Sequence, residues 1–177
     1  MKMLKKLLAV VLTGAMALTL LTACGSNAVT EKDIADAMND MAKAAEEDIT
    51  FTPRAKEREM AQKVAALLES HSEDDSNSAE LSAKIQGILG IDQGGVNENN
   101  FVWVQNALTD KLGAEGQAFQ VMESLTDKGG AYNFSSLGSK EPADTRYMGT
   151  ALCKIPDQKD NLVTVRVIVV TAKAEDE

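Results

Sequence analysis

Leu162-Val163-Thr164-Val165-Arg166-Val167-Ile168-Val169-Val170-Thr171-Ala172 is the stretch that decides the fold. Val163, Val165, Val167 and Val169 alternate with the two-residue period of a strand. Ile168 and Val170 make the opposite face apolar as well, which predicts a central strand covered on both sides. Between Val163 and Val169 only Thr164 and Arg166 interrupt the apolar pattern, so this segment is expected to be the most buried strand. Met148 to Ile155 is also strand-like, and Pro156-Asp157-Gln158-Lys159-Asp160-Asn161 between the two carries turn chemistry. Together they predict a C-terminal β-hairpin. Ala131 to Ser136 offers a third strand.

Upstream of the hairpin the period changes to that of helices. Thr30 can cap a helix with Asp33 in its first turn. Ile34, Met38, Met41, Ala42 and Ala45 then recur at helical spacing, with an end near Glu47. Thr52-Pro53 reads as the N-cap and first residue of a second helix. Its apolar stripe is Met60, Ala61, Val64, Ala65 and Leu68, and its polar face Arg54, Lys56, Glu57, Arg58 and Lys63. Ser70 to Ser78 is a polar loop. Leu81, Ile85, Ile88 and Leu89 mark a third helix that Gly90 can stop. Phe101-Val102-Trp103-Val104 has strand composition, yet Phe101, Val104, Leu108 and Leu112 also share one helical face. Ala114 to about Leu125 is a further helix, with Ala118, Val121, Met122 and Leu125 inward. The expected architecture is α+β: four or five helices packed on a small antiparallel sheet, in one domain over 30–172 with an acidic tail at 173–177.

The N-terminus has a different character and is set apart from the fold. Lys2, Lys5 and Lys6 precede an uncharged run from Leu7 to Leu21. Its 15 residues are short for a membrane span, which needs about 20. The run leads into Leu21-Thr22-Ala23-Cys24-Gly25, which resembles the lipobox of bacterial lipoproteins: an aliphatic residue, two small residues, then Cys. The resemblance implies a signal peptide over 1–23, cleavage after Ala23 and a lipid on the Cys24 sulfur. Residues 24–29 then form a lipidated tether. Gly25 to Val29 spans at most about 17 Å extended, at roughly 3.4 Å per residue. The expected location is the cell membrane, lipid-anchored and facing outside the cytoplasm.

Composition narrows the partners. The chain carries 18 basic and 27 acidic residues. Three of the lysines lie in the leader, so the mature chain has fifteen bases against 27 acids, a net charge of −12. A domain so charged repels nucleic acid, and it shows no basic patch. With Cys24 alkylated, Cys153 is the one free thiol and an intramolecular disulfide is excluded.

Candidate chemistry is sparse. His71 is the only imidazole and lies beside the Ser/Asp/Glu loop. It could act as a general base oriented by Glu98, or simply be a surface histidine. Asp74-Asp75 lacks the glycine and the ordered acidic ladder of a calcium loop. Cys153 sits mid-strand among apolar residues, the place of a small core residue rather than a nucleophile. One His and one free Cys do not make a zinc site. No catalytic residue, cofactor-binding residue or metal ligand is therefore assigned, and no cofactor is expected.

The segment from Asp36 to His71, DAMNDMAKAAEEDITFTPRAKEREMAQKVAALLESH, resembles the opening of the CAP (cysteine-rich secretory protein) superfamily. Asn39, Ile49-Thr50-Phe51-Thr52-Pro53, Ala61, Ala65 and His71 stand at the places of the family's Asn-bearing helix, link and Ala-rich helix. Asn97-Glu98-Asn99 resembles the Gly-Glu-Asn-Ile motif, and Tyr147-Met148-Gly149-Thr150-Ala151 the last hairpin. The resemblance implies an α-β-α sandwich with a cleft at His71 and Glu98. Gly130 stands where the family has its second His, and Asn97 replaces the motif's glycine, so metal-dependent activity does not carry over. The leading expectation is a non-catalytic binding module at the cell surface. Its membrane attachment is the lipid on Cys24, and its partner a protein, a wall component or a small apolar ligand. The alternative is a CAP-like or envelope-directed hydrolase using His71 and Glu98.

Overall fold

In the computed structural model the described residues are 29–70, 78–91, 100–109, 112–125, 140–157 and 160–176. They form, in chain order, α1 (Glu31–Ala44), β1 (Thr50–Pro53), α2 (Ala55–Ser70), α3 (Ser78–Ile88), β2 (Asn100–Leu108), α4 (Ala114–Leu125), β3 (Glu141–Pro156) and β4 (Leu162–Glu175). The fold is α+β, and β3 and β4 make the expected C-terminal hairpin.

The sheet order is β1-β3-β4-β2. β4 lies between β3 and β2 and pairs antiparallel with both. β1 pairs parallel with β3, Thr50 opposite Thr145 and Pro53 opposite Met148, so the antiparallel sheet gains one parallel edge strand. That pairing overturns the reading of Thr52-Pro53 as a helix start. Proline is tolerated there because an edge strand needs no donor on its outer side. Arg54 continues the ladder by donating its N–H to the Met148 carbonyl at 2.8 Å, and α2 begins at Ala55.

Two helical layers cover the sheet. On one face α1 and α4 bring Ile34, Met38, Ala118 and Val121 onto Phe101, Trp103, Met148, Ile168 and Val170. On the other, α2 and α3 bring Ala61, Val64, Ile85 and Leu89 onto Val102, Cys153, Val165, Val167 and Val169. The alternation in β4 thus feeds two cores, and every residue from Val165 to Ala172 is buried. Phe101-Val102-Trp103-Val104 resolves as strand, its even and odd residues divided between the same two cores. β4 carries pairing through to Glu175, so Lys173, Ala174 and Glu175 of the expected tail belong to the sheet.

The helix ends follow local chemistry. The Thr30 hydroxyl accepts from the Asp33 N–H, and the Asp33 carboxylate accepts from the Thr30 N–H at 2.8 Å, a reciprocal cap with Asp in the third position. α1 stops three residues before the expected Glu47. Glu46 takes φ +60°, and the Glu47 N–H reaches back to the Ala42 carbonyl. Gly90 ends the α3 segment in the same way at φ +72°, as its sequence position predicts. Ala131 to Ser136 lies outside the described residues.

Candidate functional site

Cys24, His71 and Glu98 lie outside the described residues, as do Asp74-Asp75, Asn97-Asn99 and Gly129-Asn133. Cys153 is where its surroundings place it, buried in β3 at 2% exposure. Burial pushes its thiol pKa up, and the Glu69 carboxylate adds to the effect. Among the described residues no three His, Cys, Asp or Glu side chains converge as metal ligands.

The polar chemistry that the described fold does concentrate lies at the first turns of α1 and α2. Glu57 belongs by sequence to the polar face of its helix, yet in the fold it is wholly buried. The reason is Gly149 in β3. A Cβ there would lie 1.9 Å from the Arg58 backbone nitrogen, so only glycine lets the first turn of α2 press onto the sheet. Glu57 then points at β4, where the Thr171 hydroxyl donates to Oε1 at 2.8 Å. Arg54 closes a bidentate pair on the same carboxylate, its Nε donating to Oε2 at 2.6 Å, and stacks over the Tyr147 ring at 3.7 Å. Burial raises the Glu57 pKa, but the hydrogen bonds from Arg54 and Thr171 outweigh it and leave the value below the ordinary carboxylate range.

A second group ties the two helical layers together around the outer edge of β3. β1 covers that edge only as far as Met148. Beyond it, Glu31 of α1 accepts the Thr150 N–H at 2.8 Å and holds Arg58 of α2 at 2.6 Å. Further along, Glu69 near the end of α2 accepts the Lys154 N–H at 2.9 Å.

The third group surrounds Arg166, the lone charge between Leu162 and Ala172. It faces the α1/α4 side and is 7% exposed. Its Nε donates to Gln117 of α4 at 2.9 Å, Nη1 to the Thr150 hydroxyl at 3.2 Å and Nη2 to the Val29 carbonyl at 2.7 Å. Burial pulls its pKa down, opposed by the charges of Glu31 and Asp33. The chain segment that follows Cys24 is therefore seized at Val29 and capped at Thr30 before α1 begins.

Two further features were not read from the sequence. Arg146, 8% exposed, lies over Phe51 and Trp103 with ring-centroid distances of 5.8 and 5.7 Å. Burial lowers its pKa, and the charges of Asp144 and Glu47 oppose that. A shallow groove of about 270 Å³ lies between Val64 and Leu68 of α2, Ile85 of α3 and Val104, Gln105 and Asn106 of β2. Its lining is polar and apolar in equal measure, and it is smaller than the ~300–1,000 Å³ of ligand sites. Arg166 was visible in the sequence as a break in an apolar run. Glu57 and Arg146 had no such signal, because strong helix and strand contexts surrounded them.

No family model matches the chain, and no curated protein and no solved structure matches it.

Proposed function

We propose that the protein is a lipid-anchored, extracytoplasmic binding module with a CAP-like opening. The observation that carries the reading is the leader: Lys2, Lys5 and Lys6, the uncharged Leu7–Leu21 run, and Cys24 directly after Leu21-Thr22-Ala23. The geometry downstream suits such an anchor. The folded domain starts five residues after Gly25, and Arg166 holds the Val29 carbonyl, so a lipid on Cys24 keeps the domain against its bilayer. Among the described residues no helix is long and apolar enough to cross a membrane.

The buried carboxylate of the described fold is held for structure rather than for proton transfer. Glu57 is saturated by Arg54 and Thr171 with its pKa lowered, away from the near-neutral value a general base needs. Support for the CAP-like opening comes from Asn39. Its side chain accepts from the Phe51 N–H at 2.7 Å and donates to the Phe51 carbonyl at 3.0 Å, joining two of the segments on which the resemblance rests.

Metabolic labelling with a fatty-acid analogue tests the anchor. The full chain is expected to take up label and fractionate with membranes, and Cys24→Ser to lose both. Equal label on the two proteins removes the anchor from this reading.

A further inference from the structure

The α1/α4 layer does not cover the whole of its sheet face. Its limit lies at Thr150 on β3 and at Arg166 on β4, one register step further along the hairpin, where Glu31 and Val29 are bound. From the row of Leu152 opposite Arg166 the hairpin continues, Lys154 opposite Thr164 and Pro156 opposite Leu162. The pairing there is regular, so Leu152, Lys154, Pro156, Leu162 and Thr164 project on the same side as Arg166. The opposite side of the same stretch, with Cys153, Ile155, Val163 and Val165, belongs to the α2/α3 core. Among the described residues the hairpin is thus covered on one face and bare on the other. Leu152 is 53% exposed and Leu162 70%, the large exposed apolar side chains of the described fold.

The position of this face relative to the N-terminus gives it meaning. Val29 leaves the fold at Arg166, on the border where the bare face begins. From that row to the Pro156–Leu162 row is four residues of strand, about 13 Å at roughly 3.3 Å each. Gly25 to Val29 spans at most about 17 Å. Any group carried on Cys24 is therefore confined to the neighbourhood of the bare face.

We infer that the exposed face of the β3–β4 hairpin is a membrane-contact surface, which lies on the bilayer that holds the Cys24 lipid; this rests on the lipid-anchor reading above. Leu152, Leu162 and Pro156 enter the interfacial region, and the Lys154 ammonium extends along the surface to the headgroups. A mature net charge of −12 opposes close approach to an anionic surface, so the contact suits zwitterionic headgroups such as phosphatidylcholine. The lipid supplies the attachment, and the hairpin sets the orientation. It turns the opposite end of the sheet, with β1 and the end of α1, away from the membrane.

The test uses full-length protein purified from membranes and reconstituted in phosphatidylcholine vesicles with or without brominated acyl chains. Single Leu152→Cys, Leu162→Cys and Lys43→Cys variants carry an environment-sensitive fluorophore. Cys153 is buried, and unsubstituted protein gives its labelling blank. The replaced leucines are exposed, so the fold tolerates the change. The inference expects blue-shifted emission and at least twofold quenching by brominated chains at positions 152 and 162, with neither at 43. Equal quenching at 43 and 162, or a blue shift at 162 without quenching, overturns it; the second result means that protein covers the face, either the chain's own tether or a second copy. Mass spectrometry of the N-terminal peptide tells the two failures apart. An unmodified Cys24 overturns the anchor reading and this inference with it, whereas a lipidated Cys24 without quenching overturns this inference alone.

Discussion

Glu57 is a carboxylate on an amphipathic helix that the sheet nevertheless takes inside, while its partner Arg54 stays 39% exposed. Loss of Arg54 would strand the buried carboxylate, whereas loss of the Glu57 charge leaves a solvated guanidinium and costs less than the ~3–5 kcal/mol of a fully buried pair. Because the folded pKa is lowered, the carboxylate stabilises the protein fully above the unfolded-state pKa, about 4.3. That stability is lost as pH falls through the folded value. Glu57→Gln should therefore lower stability at pH 7 and flatten the acid limb of a denaturant-midpoint-versus-pH curve. An acid limb identical to that of the unsubstituted protein would assign the acid sensitivity to other carboxylates. Gly149 is the other half of this arrangement. The Cβ of Gly149→Ala meets the Arg58 backbone nitrogen, which no rotamer change relieves. We expect about 3 kcal/mol or more of destabilisation, the upper range for overpacking. Urea denaturation measures it, and a loss under about 1 kcal/mol would show that α2 can retreat from the sheet.

At the scale of elements, β4 carries the most structure. It lies between two strands and between two helical layers, and Val167 at its centre is fully buried. Val167→Asp would place an unpaired carboxylate there, costing several kcal/mol against a total stability of about 5–15. Loss of the cooperative thermal transition is expected; an unchanged midpoint would contradict the central position of β4. β4 and the start of α1 were legible in the sequence because both depend on short-range pattern: a two-residue apolar alternation on both faces, and a Thr three residues before an Asp. β1 was not. Thr52-Pro53 is equally good chemistry for a helix cap and for an edge strand. The choice was made by β3, over 90 residues away in sequence, and by Asn39, whose side chain occupies both backbone groups of Phe51.

For the whole molecule, the two helical layers are joined through the sheet core and around its edge by Glu31. The described residues hold no cluster of metal ligands. We predict that the full chain melts at the same temperature with and without a strong chelator. A bound ion at 100 times its dissociation constant would contribute about 2.7 kcal/mol, a shift that a thermal melt resolves. A chelator-induced drop of several degrees, reversed by zinc or calcium, would overturn the prediction and return attention to His71 and Glu98.

The sequence by itself determined the α+β class, the C-terminal hairpin, the central strand, the cap at Thr30 and the stop at Gly90. Each follows from residues within a few positions of one another, where periodicity and backbone sterics act directly. Only the tertiary structure decided that Glu57 is inside, that β1 joins the sheet in parallel, and that Arg166 grips the chain at Val29. It also decided that the helices of one layer stop short of the hairpin's end, which leaves Leu152 and Leu162 in the open. A side chain's exposure depends on what packs above it. That is a property of helix length, crossing and position across 137 residues of separation between Val29 and Arg166, which no local pattern encodes.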